Sequence, residues 1–179
     1  MIAGAGGGLG HLATQIGSRG MALRIIGIDH GSKESLVKEC GAEAFIDVTK
    51  FDDKTITEEV QRVTGGLGAS AVIVCTASNK AYAQAMGFLR FGGTLVCVGM
   101  PEGDLIPVAE AFPSMMIAKQ TRIVGSAVGN QREAIEVLEL ASRGILKTSY
   151  RTEKMEKLTE VFQEMSEGKL HGRVVLDMQ

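Results

Sequence analysis

Five of the first ten residues are glycine: Gly4, Gly6, Gly7, Gly8 and Gly10. They follow a short apolar stub and end where a helical periodicity starts near Leu9. Several overlapping readings of G-x-G-x-x-G fit this run. Such a turn needs residues without the Cβ penalty at positive φ. The pyrophosphate of a dinucleotide must approach the backbone closely, which a side chain would block, and its charge then meets unpaired N–H groups where a helix begins. Gly10 and Gly17 would let that helix lie close on a sheet. An acid at the right distance completes the pattern. Asp29 closes the next apolar run about twenty residues on, where a carboxylate accepts the ribose hydroxyls of adenosine and repels a 2′-phosphate. NAD is therefore favoured over NADP, although Lys33 could attract a phosphate.

These residues need a frame. Short apolar runs occur at Leu23–Ile28, Ala44–Val48, Ala71–Thr76, Gly93–Gly99 and Thr121–Ser126. Stretches of helical spacing separate them: Lys33–Cys40, the segment after a Thr55/Glu58 cap, Asn79–Arg90, and a helix capped by Asn130 and Glu133 that stops at Gly144. Strands apolar on both faces, alternating with helices, predict an α/β fold with a doubly wound parallel sheet. This dinucleotide-binding unit is expected over residues 1–145. Residues 146–179 read as a strand–helix–strand tail, with a helix from Glu153 to about Glu167. Its Met155, Leu158, Phe162 and Met165 form a stripe expected to face a core.

Composition narrows the function further. The 179 residues are 45% hydrophobic and 22% charged, with a formal net charge of -2 and no basic block. Nucleic acid is not an expected partner. No apolar run reaches membrane-spanning length, and no secretory signal follows Met1. Cys40, Cys75 and Cys97 are too few and too scattered for a disulfide framework or a zinc knuckle, and suit buried thiols in a reducing, cytoplasmic compartment. His11, His30 and His171 show no metal spacing. Neither a P-loop lysine nor a nucleophile elbow is present, so no catalytic residue is assigned.

Taken together, GAGGGLGHLATQ, GID, GAEAFIDV, TLVCVGMP, IVGSAVGN and GKLHGRVVLD resemble the zinc-dependent medium-chain alcohol dehydrogenases, most closely their tetrameric fungal and microbial branch. The resemblance covers almost the whole chain. It implies that Gly7, Gly8 and Leu9 form the cofactor turn, with Leu9 toward the nicotinamide side. Asp29 and Lys33 match the adenosine-ribose contacts, and Val48 stands where the family has an aromatic flanking adenine. Thr76 matches a small hydroxyl residue beside the cofactor. Val98, Gly99 and Met100 match a loop holding the carboxamide, Ser126 and Val128 a second such stretch, and Arg173 a tail arginine reaching the pyrophosphate.

The resemblance also implies what is missing. The family's catalytic zinc ligands, structural zinc loop and proton relay precede the glycine turn, and none of them is in this sequence. The expectation is an NAD(H)-binding part of an alcohol dehydrogenase that binds no zinc itself, its first strand cut short and its tail a remnant of the catalytic domain. The small alcohol or aldehyde would need the rest of the enzyme, and homo-oligomers are expected. Two alternatives stay open: a zinc-free quinone or enone reductase of the medium-chain type, against which Asp29 argues, and a non-enzymatic NAD-binding module.

Overall fold

The computed structural model describes residues 1–178. Its main sheet has six parallel strands in the order β3-β2-β1-β4-β5-β6. These are β1 (Ile2–Ala3), β2 (Ile26–Asp29), β3 (Ala44–Asp47), β4 (Ala69–Val74), β5 (Leu89–Cys97) and β6 (Arg122–Gly125). Between them run α1 (Gly10–Gln15), α2 (Glu34–Glu39), α3 (Asp53–Val63), α4 (Asn79–Phe88) and α5 (Pro113–Lys119), and α6 (Gln131–Ser142) follows β6. The expected doubly wound α/β fold is the one observed.

Alternation along the strands divides the core between the two faces. Ala3, Ile28, Val72 and Val74 join Ile56, Val60, Tyr82, Met86 and Phe88 on the α3–α4 side. Ile2 and Ala5 join Ile25 and Val37 on the α1–α2 side. Burial on both faces is why these strands read as unbroken apolar runs. The strand order reverses direction at β1, so a crevice opens beyond the carboxyl ends of β1 and β4, the usual position of a ligand in such sheets.

β1 spans only two residues but is hydrogen-bonded on both sides. Ile73 N–H donates to Met1 O at 3.0 Å, Cys75 N–H to Ala3 O at 2.9 Å, and Gly4 N–H to Ile28 O at 2.9 Å. Met1 and Gly4 thus extend its ladder beyond the two strand residues.

Several expected boundaries shift. Leu23 is exposed, and its strand starts at Ile26. Helix α3 is capped by Asp52, with Thr55 rather than Glu58 as the reciprocal partner. The Asp52 carboxylate accepts from Lys54 N–H at 3.0 Å and Thr55 N–H at 2.8 Å, and a charged acceptor at this position outcompetes a hydroxyl one turn later. Leu89 is not the last turn of α4; it opens β5. The Asn130/Glu133 capping box and the stop at Gly144, with φ +71°, are as expected.

The tail forms a second sheet, β7 (Tyr150–Lys154) paired parallel with β8 (Arg173–Asp177), with α7 (Leu158–Ser166) between them. Glu153 belongs to β7, so the expected helix starts later. Its stripe is also displaced: Val161 is the buried residue, while Met155, Phe162 and Met165 are 42%, 57% and 56% exposed. A two-stranded sheet is too narrow to cover the whole apolar face of the helix.

The tail is fixed to α1 by side chains. Gln15 donates from Nε2 to Lys147 O at 2.9 Å and accepts from Lys147 N–H at 2.9 Å.

Candidate dinucleotide site

The glycine turn lies at the crevice. Gly4 takes φ +78°, and Gly7 N–H returns to Gly4 O at 3.2 Å. A Cβ at Gly10 would collide with Gly4 O, so α1 starts pressed against the turn. Among the described residues, the N–H groups of Gly8 and Leu9 find no acceptor. Unpaired donors beside a cavity are what an anion requires.

Asp29 anchors the other side. Its Oδ2 accepts from Gly6 N–H at 2.8 Å, its Oδ1 accepts from His30 N–H at 2.8 Å, and Lys33 Nζ lies 3.4 Å from Oδ1. Lys33 is buried, which sequence reasoning did not foresee. Its stem crosses Gly6, where a Cβ would stand 2.6 Å from Lys33 Cβ. The Lys33 charge is therefore already engaged by Asp29.

Asp47 holds the loop that carries Lys33. Its Oδ1 accepts from Gly31 N–H, Thr49 N–H and Thr49 Oγ1 at 3.0, 3.0 and 2.8 Å. These bonds keep its carboxyl below the usual carboxylate range despite burial.

Two cavities meet at Gly4, Asp29 and Thr76. One of about 440 Å³ runs past Gly7, Gly8, Lys33 and Arg173. Another of about 210 Å³ is walled by Val48, Ala81 and Phe88. A third, of about 550 Å³, lies beyond β5 and β6, lined by Val98, Gly99, Met100 and Ser126. Tyr82 supports it by donating its hydroxyl to Gly99 O at 2.5 Å. A Cβ at Gly99 would strike the Thr76 carbonyl, so these two strand ends fit only with glycine there.

Most of the expected contact residues thus line this crevice. Two stand apart: Val128 is 96% exposed, and Leu9 is 49% exposed, and neither lines these three cavities. Gly6 and Gly10 shape the turn instead of facing the space.

Residues 8–143 match the family model of the zinc-binding dehydrogenases. The chain belongs to that family. It is 60% identical over 183 aligned residues to alcohol dehydrogenase 2 of Emericella nidulans, covering 99% of this chain and 50% of that relative. It is 44% identical over 178 residues to an alcohol dehydrogenase of Schizosaccharomyces pombe, covering 99% and 49%. The crystal structure of the alcohol dehydrogenase from Aeropyrum pernix matches with a TM-score of 0.84 at 27% identity, over 98% of this chain and 49% of that one. The chain spans about half the length of the curated relatives it matches.

The family's zinc has no seat among the described residues, where no group of three or more His, Cys, Asp or Glu is placed to hold a metal. Cys75 lines the crevice, and burial pushes its thiol up to about 11. No helix among these residues is long and apolar enough to cross a membrane.

Proposed function

We propose that this chain is the NAD(H)-binding part of a zinc-type alcohol dehydrogenase. One observation carries the reading. The unpaired N–H group of Gly8 and the Arg173 guanidinium meet at a cavity whose other side is Asp29. Together they suit a pyrophosphate joined to a ribose.

In this reading, Gly7, Gly8, Leu9 and Arg173 hold the pyrophosphate. Asp29 accepts the adenosine ribose hydroxyls, and Val48 lies against adenine. Val98, Gly99, Met100 and Ser126 place the nicotinamide end, with Thr76 between the two halves. A 2′-phosphate would meet the Asp29 carboxylate, with Lys33 already paired to it, so NADH is preferred to NADPH. The bound nicotinamide supplies hydride exchange, and this chain supplies position and electrostatics.

The reaction of the longer protein is then hydride transfer between NAD(H) and a primary alcohol or aldehyde, a proposal supported by the relatives' names. Free Cys40, Cys75 and Cys97 suit the cytoplasm. The edge position of β6 suits self-association into a homo-oligomer.

Calorimetric titration with NADH and NADPH tests the reading. Tighter NADH binding is expected, and Asp29→Ala should erode the preference. Equal or tighter NADPH binding overturns the assignment.

A further inference from the structure

His11 is fully buried on α1, and no role in cofactor binding has yet been given to it. Its Nδ1 lies 2.8 Å from Gly7 O, and Ser149 N–H approaches its Nε2 at 3.1 Å. A carbonyl can only accept and an amide N–H can only donate. The ring is therefore neutral, with its proton on Nδ1. Ser149 O in turn accepts from Arg173 N–H at 3.0 Å. The Arg173 guanidinium returns over the glycine turn, where a Cβ at Gly8 would lie 3.3 Å from its Cζ and Nη1. Gly172 N–H closes the far side by donating to Gly6 O at 2.9 Å.

The contacts form a loop from Gly7 through His11, Ser149 and Arg173 back to Gly8. We infer that His11 is a positioning residue for Arg173: by holding Ser149 to the glycine turn it sets the guanidinium over the pyrophosphate position. This rests on the dinucleotide reading above. His11 itself touches no ligand. Arg173 leaves a two-stranded sheet with little other cover, so its distance from the turn depends on such ties. The two ring nitrogens carry separate parts of the job, since one grips the turn and the other grips the tail.

Isosteric variants separate the two. Asn at position 11 keeps a donor where Nδ1 stands but loses the acceptor for Ser149. Gln keeps an acceptor where Nε2 stands. The measurements are dissociation constants for NADH and for adenosine, which carries no phosphate. His11→Asn should weaken NADH roughly tenfold, within the worth of one charge-assisted contact, and leave adenosine unchanged. His11→Gln should stay near wild type. In an Arg173→Gln background, His11→Asn should cost nothing further.

Equal losses for NADH and adenosine, additive losses in the double variant, or no loss at all would overturn the inference. Should His11→Asn fail to fold, His11→Leu, which removes both contacts, takes its place: a tenfold loss of NADH beside a near-wild-type His11→Gln upholds the inference, and equal NADH binding by the two variants overturns it. A wild-type chain that binds no NADH sinks the underlying dinucleotide reading instead, which is a distinct result.

Discussion

Lys33 lies across Gly6, its stem packed where a Cβ would be and its ammonium 3.4 Å from Asp29 Oδ1. The glycine turn is thus shaped by a side chain from the loop after β2 as well as by its own backbone freedom.

Gly6→Ala should therefore destabilise the fold by about 1–3 kcal/mol, the usual cost of overpacking. Urea denaturation checks this. In a Lys33→Gly background the cost should shrink, because the Lys33 Cβ at 2.6 Å and the stem beyond it are gone.

Asp29→Asn keeps the shape but removes the charge that Lys33 faces. The Lys33 ammonium is then buried without its counter-ion, so stability should fall by about 3 kcal/mol or more. Lys33 also becomes available to a phosphate, so NADPH binding should improve relative to NADH. A denaturation curve and a pair of titrations test the two halves separately.

Acid should loosen the tail. Burial, opposed by the Gly7 hydrogen bond and joined by the nearby Arg173 charge, lowers the His11 pKa below its ordinary 6.5. The unfolded chain then binds the proton more readily than the folded one. The stability contributed by neutral His11 is whole above pH 6.5 and is lost as pH falls from there toward the depressed value. The His11 part is read below pH 6.5 from urea midpoints, as the difference between wild type and His11→Gln, whose profile should be flatter.

Asp52→Ala removes the acceptor that caps α3 and should cost about 1 kcal/mol, seen as a lower melting temperature. Glu58→Ala should change little, since Glu58 takes no part in the cap.

The sheet was legible because burial on both faces writes unbroken apolar runs. Asp29 was legible for the same reason, as the first acid after such a run. Lys33 was visible as a type but not as a buried ion pair, because nothing in a charged loop announces that its stem covers a glycine. In the sequence His11 shows no metal spacing and no other mark of a role. Its partner Ser149 is 138 positions away, so no local pattern could join them. The one available signal was a ring nitrogen placed one helical turn after Gly7, on the side of α1 that had to be covered. The displaced stripe of α7 misled for a different reason. Periodicity reports that a helix has an apolar face, but how wide a surface meets it is decided by the sheet.

The reciprocal pair between Gln15 and Lys147 constrains inheritance at position 15. One side chain there serves the donor and the acceptor of one residue, as a neighbouring strand would. Glutamate offers only acceptors at that reach, lysine only donors, and asparagine stops one carbon short. Each exchange removes at least one of the two bonds, at about 0.5–1.5 kcal/mol each. The tail can drift widely in surface sequence and keep its place, provided that the amide of Gln15 and the ring of His11 stay on α1.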